Sequence, residues 1–189
     1  MKQEDSTPLQ DEDQGTGIRT AAITFIFASA DLDLYELQEI IIKLLRNSRV
    51  VDKKSILDFV AAIEECVVNA HEHGNLELQS QWKEEAGEHP WTNRFEEMRR
   101  ARLCDVFFSA RTISVEVSVT AQEFSCSVED EGPGYMQNTH AATGPTAHYG
   151  RGLMLVDHFV DAIIVNDRGN RTTIIKRLEG AHKGIGSRR

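Results

Sequence analysis

The sequence predicts an α+β two-layer sandwich: a mostly antiparallel mixed sheet covered on one face by helices. Three observations carry this. Two apolar stripes at helical spacing come first, Leu34, Leu37, Ile41, Leu44 and Leu45, then Ile56, Phe59, Val60, Ile63, Val67 and Ala70. Two alternating segments follow. Residues 111–119 put Ile113, Val115, Val117 and Val119 on one face, and residues 124–128 lie close enough to pair with them as a hairpin. A second hairpin, residues 160–165 and 172–177, turns at Arg168-Gly169-Asn170 and closes the domain. Helices with one apolar stripe and strands with one apolar face bury those sides against each other, which gives two layers.

In chain order, residues 1–19 are acidic and almost without apolar side chains, and read as a disordered tail. Residues 21–28 are rich in Ile and Phe and read as the first strand. Asp33-x-x-Glu36 offers an N-cap and its capping-box partner to the first helix. The second helix is expected from about residue 52 to residue 73, with Gly74 as its C-cap. Residues 76–82 alternate and suggest a short strand. Residues 83–105, with Glu96, Glu97, Arg99, Arg100 and Arg102, are helix-prone and read as a solvated helix face. Residues 135–149 have the look of a lid, residues 153–159 of a short helix, and residues 179–189 of a basic tail. One globular domain over residues 20–178 accounts for the rest of this 189-residue chain.

Composition narrows the function. A formal net charge of -9 argues against general nucleic-acid binding, which needs a basic face, and suits a basic protein partner. No apolar run has membrane length and the N-terminus is polar and acidic, so the expected place is the cytoplasm, away from the membrane. Cys66, Cys104 and Cys126 are widely spaced, each among apolar neighbours, and read as reduced interior cysteines. His71 and His73 stand two apart on a helix, the wrong spacing to share a metal, and His71 reads as structural or solvent-facing.

The chemistry lies in three pieces. Asp130-Glu131-Gly132-Pro133-Gly134 follows the strand at 124–128. Gly150-Arg151-Gly152 closes the lid and starts a helix. Glu65 and Asn69 stand one helical turn apart on one face, a face that also carries His73. Alone, the first two are ordinary turns and the third an ordinary helix surface. Together and in this order they describe a nucleotide site. It has an acid for a base edge, glycines for close backbone approach, a helix start for phosphate and an amide oxygen for magnesium. Neither a Gly-x-x-x-x-Gly-Lys-Ser/Thr loop nor the His-Arg-Asp and Asp-Phe-Gly pair of eukaryote-type kinases is present.

These pieces resemble the N, G1 and G2 boxes of the GHKL ATPases, the Bergerat fold. Within that superfamily, Glu65 to Leu76, Gly150 to Val156, Asp161 and Gly169-Asn170-Arg171-Thr172-Thr173 resemble the anti-sigma-factor serine/threonine kinases. The resemblance spans about residues 21–178. It implies ATP or ADP with Mg2+ as ligands. It makes Asp130 the adenine acceptor, with Gly132 and Gly134 beside it and Thr173 as the adenine-side threonine. It makes Asn69 the magnesium ligand, next to His73, and Gly150, Gly152 and Leu153 the phosphate-facing amides. Arg151 either reaches phosphate or points to solvent. Glu65 becomes the general base; Glu64 projects about 100° around the helix from it and does not fit the Glu-x-x-x-Asn spacing.

The implied activity is phosphorylation of a STAS-domain anti-sigma-factor antagonist, with control of a sigma factor. Residues 79–110, with Trp82 and Trp91, are longer than the compact kinases of this type require. They resemble the corresponding stretch of stand-alone regulators, which implies an alternative: an ATP- or ADP-dependent binding module that partners a response regulator or a PP2C-type phosphatase. A homodimer stays open. A split histidine kinase is disfavoured, because no phosphoacceptor helix precedes the motifs.

Overall fold

The computed structural model describes residues 20–47, 53–120, 122–134 and 156–178. Strands β1 (Thr20–Ala28), β2 (Thr112–Thr120), β3 (Glu123–Asp130), β4 (Ala162–Val165) and β5 (Arg171–Arg177) form a five-stranded sheet in the order β1-β2-β3-β5-β4. Every pairing among the described strands is antiparallel, so the parallel component of the expected mixed sheet does not occur among them. The two predicted hairpins, β2–β3 and β4–β5, are present. Gly169 at φ 78 and Asn166 make the second turn: Asn166 Oδ1 accepts from the backbone N–H of Gly169, Asn170 and Arg171.

Helices α1 (Leu34–Asn47) and α2 (Lys53–Asn69) belong to the second layer. Asp33 caps α1, its Oδ1 accepting from the N–H of Tyr35 and Glu36 at 2.9 and 3.1 Å. Leu37, Ile41 and Leu45 of α1 are buried, as is the whole predicted stripe of α2. They meet Ile113, Val115, Val117 and Val119 of β2 and Phe124, Cys126 and Val128 of β3 in one core. The Phe59 and Phe124 rings are tilted, with centroids 5.4 Å apart. A helical turn at 156–159 adds buried Val156 to the same core.

The chain between α2 and β2 departs most from expectation. The second helix does not stop at a left-handed Gly74. It widens into a π-helical turn, Ala70–Asn75, closed by Leu76 N–H on His71 O at 2.9 Å. The expected strand at 76–82 is a bend followed by a 3-10 turn, Ser80–Lys83. Its alternation has another cause: Leu76, Leu78 and Trp82 point into a second apolar cluster with Phe95, while Leu78 N–H bonds Glu72 O rather than a strand.

Helix α3 (Arg94–Cys104) is shorter than the helix-prone stretch, because Asn93 caps it through Glu96 N–H. Its face is only partly solvated: Phe95 is buried, and the Arg94 and Arg102 guanidinium groups lie 5.0 and 5.6 Å from the Trp82 ring centre. A short α4 (Val106–Ser109) leads into β2. Cys66 and Cys126 are buried as expected; Cys104 is exposed, since the polar face of α3 carries it outward.

The two tails, the expected lid and Gly150, Arg151, Gly152 and Leu153 lie outside the described residues. Among the described residues no helix is long and apolar enough to cross a membrane.

Candidate functional site

At one end of the sheet, β3 finishes with Asp130 on the helix-facing side, two residues after Val128 and opposite Ile113. Alternation puts the carboxyl on the same face as the core side chains, and the turn after α2 comes up against it. A Cβ on Gly74 would lie 2.6 Å from both carboxylate oxygens. A Cβ on Gly132 would overlap the Gly74 carbonyl. Gly132 N–H donates to Asp130 Oδ1 at 2.8 Å. The two glycines and the acid thus form one close-packed unit in which any side chain would displace the carboxylate. Gly74 was expected to end a helix; its actual work is to leave room for Asp130, a role that only the three-dimensional approach reveals.

Burial pushes the Asp130 carboxyl up to about 6, against the opposing pull of the Gly132 N–H and, more weakly, of Arg168. At neutral pH it is ionised, poised, and has an oxygen left over to accept a hydrogen bond. Gly134 sits at φ 77, where a Cβ would overlap the Arg168 carbonyl oxygen.

Residues to which the sequence assigned no role at the site hold this unit in place. Asn75, fully buried, donates to Ser29 Oγ at 2.9 Å and Thr112 O at 3.0 Å, and accepts from Glu131 N–H at 2.8 Å. Glu131 in turn accepts from Thr112 N–H at 2.6 Å. Arg111 donates to Asn75 O at 2.8 Å and to Glu77 at 2.7 Å. From the other side, Arg168 donates to Gly132 O at 3.0 Å and Asn170 to Asp130 O at 2.7 Å. The turn Arg168-Gly169-Asn170 therefore does more than reverse the chain. Polar residues of the types that make such turns were visible in the sequence; their partners were not.

Glu65 and Asn69 lie one turn apart on α2 and are partly exposed, as the spacing predicted. Asn69 Nδ2 donates to Glu65 Oε1 at 3.1 Å. That bond turns the amide so that Oδ1 faces away from Glu65, without a hydrogen bond among the described residues, and it leaves Glu65 Oε2 able to take a proton. His73 Nδ1 stands 2.6 Å from Leu78 O, so this nitrogen carries the proton and Nε2 is the acceptor. No group of three or more His, Cys, Asp or Glu among the described residues is placed to hold a metal alone. An oxygen-seeking ion at Asn69 would therefore need a ligand's phosphates to complete its shell.

His71 turns away from this face. It is buried, with Nε2 3.0 Å from Ser29 O, in the structural role that was one of its two readings.

Thr173 does not stand beside Asp130. It pairs with Ser127, and its hydroxyl lies 2.8 Å from Ser127 Oγ on the sheet face opposite the helices. Its neighbour Thr172 pairs with Val128 and shares the Asp130 face. A shift of one residue exchanges faces on a strand, so choosing between two adjacent threonines required the register.

An open hollow of about 470 Å3 flanks the turn, bounded in part by Ser114, Glu129 and Arg168. Ser114 and Glu129 are cross-strand partners on the outer sheet face, so this hollow opens away from Glu65 and Asn69.

Comparison with functionally curated proteins returned no match. The family model described as histidine kinase-like ATPase domain matches residues 27–176, a span that takes in both long helices, the Asp130 turn, β2, β3 and β4, all of β5 but Arg177, and only the last two residues of β1. With most of its length matched and the sheet, the helical layer and the acid–glycine unit in their expected order, the chain belongs to the family of histidine kinase-like ATPase domains.

Proposed function

We propose that this ATPase-type domain is a serine/threonine protein kinase of the anti-sigma-factor type. It transfers phosphate from ATP to a STAS-domain antagonist, and it controls a sigma factor through that exchange. The observation that carries the reading is the Glu65–Asn69 pair, whose hydrogen bond leaves one oxygen for a cation and one for a proton, on the helix that also runs up to Asp130.

Asp130 accepts from the adenine amino group. Guanine places a carbonyl there, which meets the carboxylate unpaired, so the site prefers adenine. Thr172, on the same face, is the hydroxyl available beside it. Gly74 and Gly132 keep the floor open, and Gly150, Gly152 and Leu153 are proposed to present amides to the phosphates. Mg2+, when bound, neutralises phosphate charge, and Asn69 Oδ1 would hold it. Glu65 removes the proton of the acceptor Ser or Thr as its oxygen bonds the γ-phosphorus and the bridging P–O bond to ADP breaks. The net charge of -9 suits a basic docking face on the partner.

The second reading, a nucleotide-dependent binding module for a response regulator or PP2C-type phosphatase, is favoured by the stretch between α2 and β2. That stretch has its own apolar cluster and presents Trp91, Val106 and Phe107 to solvent.

Incubation with γ-labelled ATP and candidate STAS domains tests the kinase. Glu65→Ala should keep ADP affinity within a few-fold and slow transfer by about 10^2–10^4. Asn69→Ala should lose magnesium-dependent binding as well. Transfer at the wild-type rate by Glu65→Ala would remove Glu65 from the chemistry. Partner capture without a phosphorylated Ser or Thr would replace the kinase by the binding module.

A further inference from the structure

A cavity of about 420 Å3 lies on another side of α2 and has no part in the nucleotide reading. Val68 and Glu72, which line it, are offset about 100° around the helix from Asn69 and His73. The segment entering α1 and the middle of α3 form its other walls. Five of its lining side chains, Ala30, Leu32, Leu34, Val68 and Leu103, are aliphatic.

Among the described residues, Arg99 is the group in it with a buried polar atom left without a partner. Its Nε is buried without a hydrogen bond, and among the described residues its guanidinium enters no ion pair. The acids nearby are engaged elsewhere. Asp33 caps α1, and Glu72 Oε2 lies 3.5 Å from Lys83 Nζ. His71 adds no charge: burial, and to a lesser extent Arg99 itself, hold the ring below the ordinary histidine value. A buried N–H left unmade is costly, and the arginine fork matches a carboxylate. Asp33 and Glu72 also line the place, so any anion there meets two like charges, at a larger cost for a dianion such as phosphate than for a monocarboxylate, while the aliphatic wall suits hydrocarbon.

We propose that this cavity binds a small monocarboxylate, its acid on Arg99 and a body of a few apolar carbons against the leucine wall. The ligand is either a free acid or the acidic side chain of a partner, and both present the same chemistry.

Calorimetric titration of the full chain tests it, with 4-methylpentanoate, 4-methylpentanamide, inorganic phosphate and a capped Leu-Glu-Leu peptide. The acid should bind saturably, with the amide and phosphate at least tenfold weaker. Arg99→Gln should weaken the acid at least tenfold, and Arg99→Lys should recover part of that loss. Tighter binding of the peptide than of the free acid assigns the carboxylate to a protein partner, and the reverse assigns it to a metabolite. Equal binding of acid and amide by the wild-type chain overturns the proposal, and so does an Arg99→Gln titration that matches the wild type. ADP titrated into Arg99→Gln checks that the variant is folded; if it is not, the acid–amide contrast in the wild-type chain decides alone. Arg99 is not among the nucleotide-facing residues, so ADP binding can fail or hold independently of the acid.

Discussion

On the helix-facing side of β3, Phe124, Cys126 and Val128 are succeeded by Asp130; on α2, Phe59, Ile63 and Val67 are succeeded, about two turns on and in the π turn that continues the helix, by Gly74. The early rungs are closed by hydrocarbon on both sides. The last is closed by a carboxylate with no side chain facing it. The candidate site is thus the terminal rung of the core, made by the same two elements, and what changes is how the elements are held together. Apolar area suffices for Phe59 against Phe124. At the terminal rung Asn75, Arg111, Arg168 and Asn170 do the same work with hydrogen bonds, and the α-helix gives way to a π turn. A polar rung of this kind is cheap to rearrange and specific in what it accepts; a hydrocarbon rung is the opposite.

Replacement of Phe124 by alanine strikes the apolar rung. It should cost about 3–5 kcal/mol of stability, the usual range for a fully buried phenylalanine. Urea denaturation reads that loss, and the folded fraction should bind ADP within a few-fold of the wild type. Gly74→Ala strikes the terminal rung and should invert the pattern. The new Cβ forces the Asp130 carboxyl off the Gly132 N–H, while alanine is the better helix former by about 1 kcal/mol. ADP affinity should fall at least tenfold with stability changed by no more than about 1–2 kcal/mol. If Gly74→Ala unfolds the protein as readily as Phe124→Ala, the two rungs are not held differently.

The same contrast explains what could be read in advance. The hydrocarbon rungs follow period 2 and period 3.6, so the strands, both long helices and their buried faces were legible before any coordinates, down to Ile113, Val115, Val117 and Val119. The positions of Glu65 and Asn69, one turn apart on a helix, and of Asp130, at the end of an alternating strand, were legible because they follow those same two periods. Thr173 was misplaced because adjacent threonines differ only in face, and face depends on the β3–β5 register. The segment from Gly74 to Trp82 was misread because a two-residue alternation also arises when a bend aims Leu76 and Leu78 at a satellite cluster. The roles of Asn75 and Arg168 at the site could not be read, because a hydrogen-bond network that spans distant parts of the chain leaves no local pattern.

A third prediction separates folding from binding at the terminal rung by pH. Asp130 is raised from 3.8 to about 6, so the folded chain holds this proton more tightly than the unfolded one. Its stabilising effect is complete below 3.8 and is lost as pH rises through 6. Nucleotide affinity should run the other way, since adenine needs the carboxylate. It should fall as pH drops below about 6, by up to about tenfold per unit. Urea midpoints and ADP titrations between pH 4.5 and 7, as wild type minus Asp130→Asn, read both slopes on the ~1-unit scale on which such groups titrate. Slopes of the same sign would detach Asp130 from adenine recognition.

The smallest effect expected is at the loop before α3, where Glu97 is to its surroundings what Asp130 is not: a fully satisfied acid. It accepts from Thr92 Oγ1 at 2.6 Å and from the N–H of Glu88 and His89, both at 2.9 Å. The Thr92 hydroxyl first, then the two amides, lower it from 4.5 to about 2. Here the sign is the ordinary one: the interaction is fully present above 4.5 and is lost as pH falls toward 2. Because the loop meets solvent, the consequence is local. Glu97→Gln should speed amide exchange at Glu88 and His89 and leave ADP affinity and the urea midpoint unchanged within error. A drop in ADP affinity in Glu97→Gln would show that the stretch between α2 and β2 bears on the nucleotide site, and the boundary between the two regions would have to be redrawn to include α3.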